Sequence, residues 1–505
     1  MTVSNQSVAS SVEESQLTQV DKAEVGNRAR KGVKWTALQI IARNVLSLGT
    51  TAVLARLLSP GDFGLVGMVA TLTALLQVFS DMGLSWATIQ RKELSNFQVS
   101  NLFWINTCVG GVLWLVCAFG AQSVADFYNQ SELVGITIAL GAGFFLSGLS
   151  AQPIALLNRR MNYKSVAKVE VFAIVAGAVS ALLAATYGVG YWALVIQSLV
   201  SQGTRTLLAI PMSRIQLFSP KRGVGTQDLV SFGGLLAVNG LLIYLARNLD
   251  SVLVGKYWGI EELGYYNRAY FLMLLPSMLA TGVLTNLMVP SLSALQNDIE
   301  RFGNAYRRAL RMIAFIGCPM ALGLALTADE MVQLVYGEKW QAVVPMLIWL
   351  SIASVTQPLY NTTGWLFTAA GKAKAYLCLT VTSGLILVVT FFIALPGGAL
   401  GIAKGYGLVM GVVIFLPAMW LAHKVAGISL YRSLHSIFPV FVCLLCMVIS
   451  VKSMEYLMTS IELTWRLKLA LKIAIGVLSY SVLALIFMRE FIKEECLPML
   501  KKRGR

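Results

Sequence analysis

The sequence predicts an all-α integral membrane protein of fourteen transmembrane helices, built as two pseudo-symmetric six-helix lobes followed by two C-terminal helices. Three observations carry this. Of the 505 residues, 57% are hydrophobic and only 13% charged, against roughly 25% charged in a soluble domain, too few to clothe a surface in water. Apolar stretches of about 20 residues, the length that crosses a bilayer as a helix, recur along the chain. One short sequence unit also occurs twice, six helices apart.

The elements follow in order. Residues 1–30 are polar, rich in Ser, Gln and Glu, and hold no apolar core. They read as an unstructured cytoplasmic tail and not as a cleavable signal. Apolar spans lie near 35–57, 63–85, 99–120, 133–157, 166–187, 191–210, 229–253, 264–288, 308–328, 342–368, 376–395, 399–422, 436–452 and 467–487. The lobes are then 31–215 and 220–425, helices 13 and 14 occupy 430–488, and 489–505 is a basic cytoplasmic tail.

Loop charge sets orientation. With the N-terminus inside, the inner segments hold about 28 of the 40 Lys and Arg residues, among them Arg159, Arg160, Arg307, Arg308 and Arg311, while the outer loops hold about five. Basic loops stay on the cytoplasmic side, so both termini are expected inside a plasma membrane. The net charge of +16 is accounted for by these loops facing anionic lipid, and nucleic acid is not an expected partner.

Sliding the chain along itself by 200 residues lays Leu54–Gly64 over Val254–Gly264, so that Arg56 falls on Lys256, Asp62 on Glu262 and Gly64 on Gly264. In both places a span ends in a basic residue, a short acidic turn follows, and the next span starts. This period underlies the two-lobe expectation, since transporters made of parallel repeats hold substrate between them.

Charged side chains inside spans cost about 2.5–3.5 kcal/mol each on the insertion scale, so each needs a reason. Arg43 lies deep in span 1 on a stripe with Thr36, Gln39, Ser47 and Thr50, spaced by three or four residues and therefore on one helix face. That face either lines a wet cavity or forms a hydrogen-bonded seam with another helix. Span 7 carries Asn239, Arg247 and Asp250; the last two are spaced to pair with each other or to line a site, and Asp250 is the one well-buried acid expected. Arg268 opens span 8 among Tyr265, Tyr266 and Tyr270 near the outer interface. Arg56 and Lys404 lie close to span ends and are weaker candidates, while Arg205 and Lys472 are ascribed to snorkelling. Basic residues outnumber acids in the spans, which suits an anionic ligand, with arginine matched to phosphate geometry.

Other chemistry is missing. Two histidines leave no histidine-built metal site. No G-x-x-x-x-G-K-[ST] stretch is present, and no paired carboxylates or nucleophile elbow appear, so the chain is not expected to be an enzyme or to need a cofactor. Cys443 and Cys446 match C-x-x-C inside an apolar span and read as packing residues.

Lys34-Trp-Thr-Ala, Leu54–Gly64, and Asn248–Lys256 followed by Leu263–Tyr270 resemble the polysaccharide-export flippases, the WzxC- and TuaB-like branch of the multidrug/oligosaccharidyl-lipid/polysaccharide (MOP, MATE-like) superfamily. The resemblance spans about residues 31–430. It implies transfer of an undecaprenyl-pyrophosphate-linked oligosaccharide across a bacterial inner membrane for O-antigen, capsule or exopolysaccharide synthesis, through a cationic cavity between two lobes. It implies that Arg43, Arg56 and Arg268 meet the pyrophosphate and that Arg247 adds to the wall. An H+ or Na+ gradient is a candidate driving force, with Asp250 the coupling candidate, and polysaccharide polymerase or export machinery is a candidate partner. A multidrug exporter of the same superfamily is the alternative; a polymerase or ligase lacks the large outer loop it would need.

Overall fold

The computed structural model describes residues 22–81, 83–91, 94–221, 227–457 and 464–491, and no strand occurs among them. In chain order the helices are α1 (Lys22–Leu57), α2 (Pro60–Asp81), α3 (Leu84–Gln90), α4 (Asn96–Tyr128), α5 (Leu133–Arg159), α6 (Tyr163–Thr186), α7 (Trp192–Ser213) and α8 (Gln227–Ala294). Then come α9 (Ile299–Leu326), α10 (Ala328–Val335), α11 (Val343–Asn361), α12 (Thr363–Ala369), α13 (Ala373–Ala394), α14 (Gly398–Leu408), α15 (Phe415–Ala426), α16 (Leu430–Leu457) and α17 (Trp465–Phe487), with one last turn at Arg489–Phe491. Among the described residues nine helical stretches are long and apolar enough to cross a membrane by themselves.

Several boundaries differ from expectation for backbone reasons. α1 already starts at Lys22, inside the stretch read as an unstructured tail. Spans 7 and 8 form one 68-residue run, broken only at Gly259, where φ is 87°. Span 10 is two helices, α11 and α12, separated at Thr362 just after Pro358. Span 12 carries a π-turn at Val409–Ile414, immediately before Pro417, whose missing N–H loosens the turn that precedes it.

The chain forms two compact units, Met1–Asn248 and Leu249–Arg505. In the first, α4 packs along α5, α6 along α7, α5 on α7 and α1 on α6. Glycines let the first pair approach to backbone contact: a Cβ on Gly110 would strike the Phe144 carbonyl, and one on Gly148 the Asn106 carbonyl. Residues 215–221 run extended over the start of α4. Ser100 Oγ donates to Phe218 O at 2.6 Å and accepts from Phe218 N at 2.8 Å, and the Asn101 amide bonds both ways with the Lys221 backbone. Arg159 donates to the carbonyls of Thr88 and Arg91, closing the end of α3, while Arg160 donates to Ser213 O at the end of α7. These two basic residues, expected to be inner charges, therefore also hold helix ends.

The second unit repeats the pairing. α9 packs along α11, α11 on α14, α13 along α14, and α16–α17 form an added hairpin that joins through α9. The turns repeat too. Met161 (φ 52°) and Gly371 (φ 66°) occupy the same place after the fourth helix of each half. Each is closed by the same long bond, Asn162 N to Leu157 O at 2.9 Å and Lys372 N to Phe367 O at 3.0 Å, the signature of a Schellman motif. Asn129 matches Gly337, Gly188 matches Gly398, and Arg214 matches Gly427, every one with positive φ. The Ser59 turn, where Asp62 takes the hydroxyl at 2.7 Å and the amide at 2.8 Å, corresponds to the Gly259 break.

Candidate functional site

α1 resolves into faces. Leu38, Ile41, Val45 and Val53 are exposed and share one stripe. At 100° per residue, Gln39, Arg43, Ser47 and Thr50 lie roughly 140° away from it. Along this second stripe Gln39 and Ser47 are half-buried, Thr50 is buried and Arg43 is exposed. Among the described residues Arg43 has no ion-pair or hydrogen-bond partner. Arg56 is also exposed but falls on the apolar stripe, so the two arginines of α1 do not share a face.

In the second unit, Asp250 is only 2% exposed. Its carboxylate accepts from the Tyr266 hydroxyl at 2.7 Å and from the Ser251 amide at 2.7 Å. Tyr266 leans on Tyr270, and Tyr270 meets Tyr406 edge-on at 5.8 Å, so the acid is joined through Tyr266 to a row of aromatic rings. Arg268 points elsewhere: two residues from Tyr266 it is carried to the far side of the helix. There its guanidinium lies 5.7 Å from the Phe271 ring centre, and its carbonyl accepts from Tyr336 at 3.2 Å. Lys404 is exposed and rests over Trp349 at 5.7 Å. The side chains of Asn239 and Arg247, and with them the expected Arg247–Asp250 pair, lie outside the described residues. The candidates are thus divided: Gln39, Arg43 and Arg56 sit on α1 of the first unit, and Asp250, Arg268 and Lys404 in the second.

Two residues ascribed to snorkelling are paired instead. Arg205 of α7 binds Glu170 of α6 at 2.9 Å. Lys472 of α17, 7% exposed, binds Glu330 of α10 at 2.7 Å and Glu455 of α16 at 3.1 Å. Glu330 is 4% exposed, so Asp250 is not the one well-buried acid. A buried ammonium keeps its charge only beside such carboxylates, and this cluster ties the α16–α17 hairpin to α10 and, through the Leu326 carbonyl, to the C-terminal end of α9. Below it lies an apolar cavity of about 260 Å³ between α9, α16 and α17.

An all-helical membrane protein with two repeated helical units and cations set on helix faces defines a transporter of the flippase and exporter class. The fold matches that of the lipid II flippase MurJ in an inward closed conformation, with a TM-score of 0.72 at 15% identity over 90% of this chain and 100% of that one. Residues 53–345 match the family described as polysaccharide biosynthesis protein, and the chain belongs to that family. It is 28% identical to the teichuronic acid biosynthesis protein TuaB of Bacillus subtilis over 90% of this chain and 94% of the relative. It is 25% identical to the lipopolysaccharide biosynthesis protein WzxC of Escherichia coli over 83% and 86%.

Proposed function

We propose that this protein flips an undecaprenyl-pyrophosphate-linked oligosaccharide from the inner to the outer leaflet of a bacterial inner membrane, by alternating access through a cationic cavity, with both termini cytoplasmic. A sugar-pyrophosphate cannot enter about 30 Å of hydrocarbon unaided. A hydrated path lined by arginine replaces its water while the prenyl tail stays in lipid. The observation that carries this reading is Arg43: exposed, without a carboxylate among the described residues, and set on a polar stripe well away from the apolar face of the same helix. In this reading Arg43 and Gln39 meet the pyrophosphate first. Arg56, Arg247, Arg268, Lys404 and Asn239 supply further contacts along its route. Asp250, the acid held by Tyr266, couples transport to H+ or Na+.

Depleting the protein tests it. Lipid-linked oligosaccharide is expected to accumulate and to stay inaccessible to a membrane-impermeant reagent added outside. Depletion that leaves lipid-linked intermediates unchanged and instead sensitises cells to organic cations would replace this reading with a drug exporter.

A further inference from the structure

One group of cations is left over from the export reading. α9 carries Arg307 and Arg311 one turn apart, and Arg432 stands in the first turn of α16. α9 packs on α16, and a Cβ added to Gly303 would meet both Arg307 Nη1 at 3.0 Å and Ile428 Cγ2 at 3.4 Å, just before the start of α16; the charges of Arg432 and Arg311 both bear on Arg307, opposed by Glu300 among the described residues. Among the described residues none of the three forms an ion pair. Arg307 donates to Asn304 Oδ1 at 2.6 Å, and Arg311 lies over the Phe491 ring at 5.2 Å with its Nε buried and no hydrogen-bond acceptor among the described residues. His423, 1% exposed, adds to the same place. Its Nδ1 is engaged with Met419 O at 2.7 Å, its Nε2 is buried without a partner among the described residues, and the Arg307 charge acts on it.

Three guanidinium groups opposed only by Glu300 among the described residues carry a net positive charge, and an anion between them relieves their repulsion. The surroundings say which kind. Tyr431 and Phe438, on the same helix as Arg432, are 74% and 61% exposed, and Tyr431 stacks on His435 at 5.9 Å. Spacings of four and then three place these side chains on one stripe. On α15, Lys424 lies over the exposed Trp420 at 5.0 Å. Cations bordered by exposed aromatic and apolar side chains are the pattern of a membrane interface. A soluble anion would make no use of that border. We propose that Arg307, Arg311 and Arg432 form a binding site for the phosphate of an anionic phospholipid, in the leaflet that meets the basic end of α9 and α16, with its acyl chains along Tyr431 and Phe438. This site is separate from the cations assigned to the transported pyrophosphate.

The full-length protein in nanodiscs of phosphatidylcholine with a minor fraction of phosphatidylglycerol provides the test, with bound lipid counted by native mass spectrometry. Wild type is expected to retain phosphatidylglycerol preferentially. R432Q, at an exposed position with no side-chain hydrogen bond among the described residues, should cut that preference about fivefold, the effect of one basic residue at a lipid surface. R307Q/R311Q/R432Q should abolish it. R301Q, which removes an arginine of the same helix already paired with Asp298 at 3.3 Å, should leave it intact. Equal retention by R432Q and wild type would overturn the proposal. So would displacement of the lipid by millimolar inorganic phosphate, which would make this a site for a soluble anion, or an equal loss in R301Q, which would make the effect one of net charge.

Discussion

The two units share a backbone plan and differ in what they bury. Their helix pairing and their positive-φ turns fall in the same order. Yet the first unit buries neutral groups, Thr50, Thr88, Asn106 and Gln152, whereas the second buries charge, Asp250, Glu330 and Lys472. In the repeat Thr50 of α1 takes the register of Asp250 of α8, so a hydroxyl in the first unit corresponds to a carboxylate in the second. The first unit presents a cation, Arg43, on an exposed face; the second hides an acid behind a tyrosine. Turn geometry fixes which helices meet within each unit, and it leaves the side chains of corresponding spans free to take up different chemistry.

The largest expected effect tests the buried charge. Lys472→Met leaves Glu330 buried without its cation, a loss of about 3–5 kcal/mol. It should appear as a lower melting temperature in detergent and lower membrane abundance, with Lys472→Met/Glu330→Gln recovering much of it. A single variant that melts like wild type would erase the contrast between the units.

Next comes the exposed cation. Arg43→Ala removes a charge-assisted contact to the substrate worth about 1.5–3 kcal/mol, so polysaccharide export should fall by one to two orders of magnitude. Because Arg43 is exposed and unpaired among the described residues, abundance and melting should not change. Arg43→Lys should restore part of the activity, a point charge being a poorer phosphate ligand than the guanidinium fork. Normal export by Arg43→Ala would refute its role. A smaller effect is expected at the hidden acid: Tyr266→Phe removes a hydrogen bond that the Asp250 carboxylate accepts beside the one from the Ser251 amide, which should cost about 1–2 kcal/mol in detergent melting.

Much of this was legible in the residues. Apolar runs mark the helices, and the four-residue spacing of Gln39, Arg43 and Ser47 places them on one face. Charge pairing was not legible. Glu330 follows Thr327, Ala328 and Asp329 in a polar stretch that reads as an outer loop, and Lys472 lies far along the chain; only folding brings the two within 2.7 Å. Snorkelling accounts for Lys472 only on a solitary helix, and here a second helix brings Glu330 to it. The repeat was faint for a related reason. The left-handed turn position is held by Asn129, Met161 and Arg214 in the first half but by Gly337, Gly371 and Gly427 in the second, so the halves share a conformation that residue identity conceals.

That concealment supplies the subtlest experiment. At Met161 and Gly371 the same turn is closed by matching bonds, at φ 52° and 66°. A side chain in the left-handed region costs about 1–2 kcal/mol, while glycine forfeits roughly 0.5–1 kcal/mol in chain entropy. The two substitutions should therefore have opposite signs. Gly371→Ala should destabilise by about 0.5–1 kcal/mol through conformation alone, since no atom lies within 4 Å of the added methyl. Met161→Gly should gain about 0.5 kcal/mol, less whatever its half-buried side chain contributes to packing. Melting both variants in the same detergent checks this: a drop for the first with none for the second supports one backbone constraint acting in both units, and equal drops would mean that the turns are alike in shape but not in what holds them.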